Sequence, residues 1–457
     1  MTKVRVDRLG RENERNDLSR IKLQNEILIN LVSSVMFFIA DLHTHSHYAA
    51  ATSKFLCLET IYQWALIKGI DVVSTGDFTH PAWIKELEEK LQSAGNGFFT
   101  LKQGPELTVL PGAKPQGRTV YFCLSTEVNC EYVINGKQYK NHHLIYAPDF
   151  ETARCINKAL AGYGDLSSDG RPTLLLTAHE LLKIVLDIAP RAFFVPAHIW
   201  TPWFSTLGSK NGHATLHDCF KDVAKELFAV ETSLSADPLM CRRYAELDGL
   251  TLLSNSDAHS AHKLGREVNL LDTELGYDAM FHAIKTKQGF SGTWEYYPQR
   301  GKYFNDGHRN CNISFGAEEV HDAACPVCQK PLTIGVAHRV EQLANRCEQE
   351  AAGQAQPFKY VLPLPEIFAE IAGFSESSLK VAALYAKAIS HFGTEFNILH
   401  QAPIQNIQHY HRQLSVAIDR LRQNKKNFTA GYDGAHGRIW FFDKTELNTK
   451  PEQMLLF

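Results

Sequence analysis

Asp41-Leu-His-Thr-His-Ser46 closes an apolar run that starts at Phe37, and its reading decides the fold. A short apolar run ending in polar residues reads as a buried strand. His43 and His45 are one residue apart, so on an extended chain both side chains point the same way. The pattern returns in Ser256-Asp-Ala-His259, where Asp257 and His259 form a second pair after the run Thr251–Ser254. Between the two pairs, Asp71–Ser74, Thr119–Ser125, His143–Ala147, Phe193–Ala197 and Leu227–Val230 read as further buried strands. Leu58, Ile61, Tyr62, Ala65 and Leu66 fall at helical spacing, and Gly69 is placed to end that helix. Strand–helix alternation implies a parallel sheet, and over this length a closed (β/α) barrel is the economical form.

Nearly every one of these strands ends in a side chain that can bind a metal. Asp77 follows the second, Glu127 the third, and His198 the fifth, while His143 lies on the fourth. In parallel α/β barrels the carboxyl ends of the strands converge on one face. Five imidazoles and three carboxylates gathered there call for cations. Mixed nitrogen and oxygen donors suit Zn, Mn, Mg or Fe, and eight ligands (His43, His45, Asp77, Glu127, His143, His198, Asp257, His259) suggest two or three divalent ions. A lone His-x-His or Asp-x-His means little. The force of the reading is in the ordered set.

These motifs, with the pair Gly76-Asp77, resemble the ordered motifs of the PHP (polymerase and histidinol phosphatase) superfamily. That resemblance implies a distorted PHP-type barrel with a multinuclear metal centre that hydrolyses phosphate esters, the same eight residues being catalytic. The chemistry agrees, because bridging cations lower a water's pKa, offset phosphate charge and stabilise a leaving oxygen without a protein nucleophile. His80, before Pro81, reads either as an extra ligand or as a loop histidine.

Longer stretches narrow the resemblance. Thr75-Gly-Asp-Phe-Thr-His-Pro81, Pro196-Ala-His-Ile-Trp-Thr-Pro-Trp-Phe-Ser205, Ser254-Asn-Ser-Asp-Ala-His-Ser260, Lys263-Leu-Gly-Arg-Glu267 and Cys325-Pro-Val-Cys328 resemble the endonuclease Q family, from Met36 to about Phe442. The resemblance implies a metal-dependent DNA repair endonuclease. Such an enzyme cuts on the 5′ side of deaminated bases (uracil, hypoxanthine, xanthine) or abasic sites through a metal-activated water. The chain departs from the family at His47, where Arg or Lys is more usual, which puts one phosphate contact in doubt. Trp200, Trp203 and Phe204 follow His198 closely and are expected at the rim, where aromatic rings stack on displaced bases; the alternative is a core cluster.

His308, Cys311, Cys325 and Cys328 give H-x2-C-x13-C-x2-C, a spacing that suits one tetrahedral structural zinc. Relatives often carry Cys at the first position. His321, His338 and Cys347 are possible substitutes, and buried free thiols are the alternative. Further on, helical patterns at Glu366–Ala372, Leu379–His391 and Ile407–Gln423 precede a Gly-rich turn, Gly431–Gly437, and a strand, Arg438–Phe442. Arg412, Arg420, Arg422, Lys425 and Lys426 form the most basic short stretch, read as a DNA contact or as a solvated face.

The expected organisation is an N-terminal extension (1–35), a PHP barrel (36–298), a zinc-binding module (299–350), a mostly helical C-terminal domain (351–452) and a tail (453–457). The extension is either a polar segment with a short helix or sequence upstream of a natural start at Met36, and is expected to carry no chemistry. The tail Gln453-Met-Leu-Leu-Phe457 resembles the pentapeptide that binds the bacterial sliding clamp, and an extended apolar tail makes sense as an anchor in a partner's pocket.

Composition limits the alternatives. With 44% hydrophobic residues the chain can bury sizeable cores, and a net charge of −3 excludes a uniformly basic DNA-coating protein. No apolar run reaches the ~20 residues that cross a bilayer, and ten cysteines point to a reducing, cytoplasmic compartment. Two rival functions share parts of this pattern. A small-molecule PHP phosphatase has no need of the zinc module or tail. A non-catalytic, clamp-recruited DNA-binding protein has no need of eight converging ligands.

Overall fold

The computed structural model describes residues 35–319 and 322–447. Residues 1–34, His321 and the tail Gln453–Phe457 therefore lie outside the described residues. The strands that position the site are β1 (Val35–Asp41), β2 (Val72–Ser74), β3 (Tyr121–Ile134), β4 (Lys137–Ala147), β5 (Phe193–Pro196), β6 (Ala229–Glu231), β7 (Thr251–Leu253), β8 (Val268–Glu274), β9 (Phe290–Tyr296) and β10 (Phe358–Val361).

β1, β2 and β3 pair in parallel, as the strand–helix alternation predicts. The sheet then departs from that prediction. β3 turns straight back through Asn135-Gly136, both with positive φ, into an antiparallel β4, and β4 pairs antiparallel with β5. Asn-Gly is the usual sequence for such a two-residue turn, whose twist matches that of the flanking strands. β6 and β7 pair with each other in parallel. β8 is antiparallel to both β1 and β9, so the sheet is mixed rather than all-parallel.

Two junctions lack a strand ladder. Between β5 and β6, Ile199 N donates to Glu231 O at 3.0 Å. Between β7 and β8 the Asn269 side chain takes over, accepting from Ser254 N and donating to Ser254 O, each at 3.1 Å. A buried side-chain amide thus satisfies backbone groups that a ladder would otherwise pair.

The helix Leu58–Lys68 buries Leu58, Ile61 and Ala65 completely and ends at Gly69, whose φ of 91° is the left-handed cap read from the sequence. Full burial of a Leu or Ile side chain is worth roughly 1.5–3 kcal/mol. The helices Leu364–Ala372, Leu379–Phe392, Ile404–Tyr410 and Arg412–Arg422 lie further along the chain, and Trp64 stacks on Tyr385 of the second with ring centroids 6.4 Å apart. Lys68 Nζ meets Glu395 Oε2 at 2.8 Å, both buried, and β10 pairs in parallel with β9. The C-terminal helices are therefore joined to the main sheet by a ladder and a buried ion pair.

The cysteine-rich segment holds one small antiparallel pair, Asp306–His308 with Ile313–Phe315. The turn Gly431–Gly437 clasps it: Asn305 N donates to Gly431 O at 2.9 Å, while Arg309 N and Thr333 Oγ1 donate to the two Asp433 oxygens at 2.7 Å each. Among the described residues no helix is long and apolar enough to cross a membrane.

Candidate metal centre

The end of β1, the loop after β7 and the long β3–β4 hairpin bring two groups of donors together. His43, His45 and Asp257 form one; Glu127, His142 and His198 form the other. Within each group the donor atoms lie within 4.8 Å of one another. Glu127 spans both. Its Oε1 lies 2.9 Å from His142 Nδ1 and 3.0 Å from His198 Nε2. Its Oε2 lies 3.4 Å from His45 Nε2 and 3.6 Å from His43 Nε2. Asp257 Oδ1 completes the first group, 3.1 Å from His45 Nε2 and 3.5 Å from His43 Nε2.

Six of the eight expected ligands (His43, His45, Glu127, His198, Asp257, His259) cluster here. His259 stands edge-on to His45 with ring centroids 4.7 Å apart, its Nδ1 3.0 Å from Asp257 O. Asp77 lies one layer behind. Its Oδ1 is 3.0 Å from His45 Nδ1, and its Oδ2 accepts from Ser46 N at 2.6 Å and Ser46 Oγ at 2.7 Å. Both Asp77 oxygens are thus engaged by His45 and Ser46.

His143 is corrected by the register. Glu127 pairs with Leu144, so His142, two residues from Leu144, shares the face of Glu127, while His143 pairs with Val128 on the opposite face. His143 stacks on Phe194 and abuts Phe220 in the apolar core, and neither ring nitrogen has a hydrogen-bond partner. His142, not His143, joins Glu127 and His198 in a group whose donor atoms converge.

Three residues of the centre have positive φ without being glycine: Asp77 at 52°, His198 at 27° and Asp257 at 45°. Such conformations cost of order 1–3 kcal/mol each and gather where geometry serves function. Gly76, with φ 63°, is required here, because a Cβ would strike Thr44 O beside His45.

Burial and neighbouring charge set the protonation states. Burial opposes charge on Glu127, but His142, Arg171 and His43 outweigh it and hold the carboxyl well below its ordinary range. Asp257 is likewise held low, against burial, by His259, His43 and His45. Burial lowers His142 to about 3, so near neutral pH its ring is uncharged and the positive charge beside Glu127 comes from Arg171 and His43. His45 rises to about 9, since Asp77 and Asp257 overcome its burial.

The donors suit divalent cations. His43 Nε2 is buried with no hydrogen-bond partner, yet faces two carboxylates. Its other nitrogen, Nδ1, lies 2.9 Å from Glu231 Oε1, which leaves Nε2 as the ligating atom. Glu231 also accepts from His198 N and Asn255 Nδ2, at 2.8 Å each. It ends β6 as the expected ligands end theirs, so its position carried a signal that the sequence reading passed over. Arg171 was also missed. Its Nη1 lies 3.1 Å from Glu127 Oε2, delivered from a loop with no periodicity to mark it.

The other expected contacts divide. Trp200 is fully buried and donates from Nε1 to Cys241 Sγ at 3.2 Å, so it belongs to the core and not to the rim. Trp203 is half-buried against Tyr303, while Phe204 is 39% exposed with its ring 4.8 Å from that of His142. His80 lies away from the donor groups, stacked on Tyr48, with Nε2 3.2 Å from Ser167 O.

The basic stretch does not form one free face. Arg420 binds Glu446 and the Phe441 carbonyl; Arg422 donates to the carbonyls of Leu399 at 2.9 Å and Ile398 at 3.0 Å. Lys426 sits over Tyr297, 4.5 Å from the ring centre. Arg412 and Lys425 are exposed. Three of the five charges thus satisfy the protein's own acceptors and rings. His308, Cys311, Cys325 and Cys328 do converge, their donors within 4.8 Å of one another, as a structural zinc requires. Cys325 N donates to Lys330 O and Gln329 N to Cys325 O, each at 2.8 Å, folding that pair of cysteines into a tight knuckle.

Known proteins resemble this chain in sequence and in fold. Residues 363–425 match the family described as the MJ0043 C-terminal domain. The chain is 30% identical over 251 residues to the uncharacterized protein MJ0043 of Methanocaldococcus jannaschii, covering 53% of this chain but only 31% of that one. It thus spans about a third of that relative's length. The uncharacterized protein YqxK of Bacillus subtilis is 28% identical over 389 residues, covering 81% of this chain and 89% of its own. Among solved structures, the lesion-specific endonuclease PfuEndoQ from Pyrococcus furiosus superposes with a TM-score of 0.77 at 29% identity, over 92% of this chain and 98% of that one. A complex of endonuclease Q with a 27-mer duplex substrate carrying an abasic lesion at the active site gives the same TM-score and identity, over 91% and 99%. From the first strand of the sheet to the C-terminal helices, this chain resembles the endonuclease Q family in both sequence and structure.

Proposed function

We propose that the chain is a metal-dependent DNA repair endonuclease that hydrolyses the phosphodiester 5′ of a deaminated base or an abasic site. The observation that carries this is Glu127, one buried carboxylate facing a histidine group with each oxygen. A carboxylate so placed suits two neighbouring cations, with His43, His45 and Asp257 on one side and His142 and His198 on the other. When bound, such ions would lower the pKa of a water and offset the charge of a phosphodiester. The protein's own part is to hold these donors in place: Glu231 orients His43, Asp77 orients His45, and Phe204 offers an exposed ring beside His142.

The likeness to a structure holding an abasic duplex supports DNA as the substrate. On this reading the strand circuit, with its two junctions that lack a ladder, is a distorted PHP-type barrel. The Cys3His set holds a structural zinc, and Gln453–Phe457 is a sliding-clamp anchor.

The test is a nicking assay with manganese or magnesium on end-labelled duplexes carrying one uracil, hypoxanthine or abasic site, beside an undamaged control. A single cut 5′ of the lesion, absent from the control and from Asp257→Ala, is the expected result. No cut with any metal, together with turnover of a phosphomonoester, would sink the proposal in favour of a small-molecule phosphatase.

A further inference from the structure

Arg171 is built into the centre rather than lying near it. The loop that carries it runs against the metal-ligand layer. Gly170 packs so closely on Asp77 that a Cβ there would meet Asp77 Oδ2, and Gly170 N donates to Tyr48 O at 3.0 Å. Asp169 Oδ1 accepts from Arg171 N at 2.9 Å and from Ala50 N at 3.1 Å, pinning the loop to the segment after His45. From this fixed base the guanidinium reaches Glu127 Oε2 at 3.1 Å, the oxygen that faces His43 and His45.

That one contact uses one of five N–H donors. Among the described residues, Arg171 Nε and Nη2 make no hydrogen bond, and the side chain keeps 21% of its surface open. Arg266, the other arginine close by, is turned to backbone, its Nη2 2.8 Å from Ser256 O. A planar, permanently charged fork with free donors, held at the rim of a donor cluster, matches the geometry of a phosphate oxygen pair. A guanidinium used only to neutralise Glu127 would need no open surface.

We infer that Arg171 binds a non-bridging oxygen of the scissile phosphodiester. It is thereby a substrate-positioning group in addition to a neighbour of Glu127. This rests on the nuclease reading above and names the group that grips its substrate.

The test is a double-mutant cycle in the uncut Asp257→Asn background. One axis is Arg171→Ala. The other replaces the phosphate 5′ of an abasic site by a neutral methylphosphonate. Removing a charge-assisted hydrogen bond from either side should weaken binding roughly 10- to 100-fold, and removing both should cost little more than removing one. Additive losses, or loss of bound metal from Arg171→Ala, would overturn the inference and leave Arg171 as structural support.

The outcome is separable from the function itself. If the wild-type protein binds lesion and undamaged duplexes alike and cuts neither, the nuclease reading falls. Arg171 is then judged on bis(p-nitrophenyl) phosphate, where an Arg171→Ala variant with unchanged KM would overturn the assignment and a raised KM would support it.

Discussion

Glu231 Oε1 lies 2.9 Å from His43 Nδ1 at the floor of the centre, with both side chains almost fully buried. This contact fixes which nitrogen of His43 faces the two carboxylates in front of it. Partners of this kind typically contribute 10- to 100-fold in metal affinity. Glu231→Gln keeps the shape and weakens the charge, so it should lower metal affinity by roughly tenfold and leave the fold intact. Titration of metal into the chelator-treated protein, with circular dichroism as the check on folding, reads both.

The face swap between His142 and His143 gives a sharp contrast. On the proposed reading His142→Ala should lower nicking by roughly a hundredfold, at least as much as loss of a residue that only supports a ligand. His143→Leu should leave nicking within a few-fold of wild type. It should also hold or raise Tm, because it removes two buried nitrogens that have no partner. Equal loss of activity in both variants would refute the assignment of faces.

Glu295 supplies a pH test away from the metal donors. It is fully buried, its Oε1 accepting from Ser254 Oγ at 2.6 Å and from Thr293, while Oε2 has no partner. Burial pushes its carboxyl from 4.5 up to about 8. Between those values the unfolded chain has released this proton and the folded chain still holds it. Stability should therefore fall as pH rises through the window, by up to ~1.4 kcal/mol per unit, and level off above it. Glu295→Gln removes that slope. Its Tm should gain on wild type from pH 5 to pH 8 in differential scanning calorimetry, and a constant difference across that range would refute the account.

Cys325→Ser should remove the zinc proposed for the Cys3His set, seen as lost zinc in elemental analysis, and lower Tm by several degrees. It should also loosen the turn that holds Arg309 and Thr333 through Asp433. Faster amide exchange around Gly431–Gly437 in hydrogen-exchange mass spectrometry would show this. An unchanged zinc content would exclude the Cys3His assignment.

Much of the centre was legible in the sequence because strand ends announce themselves. His43, His45, His198 and Asp257 each follow an apolar run, Glu127 was found although it lies within the longer β3, and the H-x2-C and C-x2-C pairs carry their spacing openly. What failed did so for physical reasons. In a strand of period two, adjacent histidines cannot be told apart until the register is known, and only the pairing of Glu127 with Leu144 chooses His142. Trp200 stands two residues beyond His198 but after the strand has ended, so no alternation predicts its direction, and it turns inward. Arg420 and Arg422 read as a charge run because sequence does not show the carbonyls they satisfy. The antiparallel β4 was hidden too, although Asn135-Gly136 marks its turn.

The parallel ladder between β9 and β10 and the buried Lys68–Glu395 pair now take on a geometric meaning. They tie the C-terminal helices to the sheet whose first strand leads into the donor cluster. Any stretch of duplex seated on those helices would be measured off from the reacting phosphate at a set distance, as a fixed-jaw gauge measures a bar. On the proposed nuclease function, selectivity would then come from deforming the DNA to fit the protein, and a lesion that makes the duplex easier to bend or open would be favoured before any base is read.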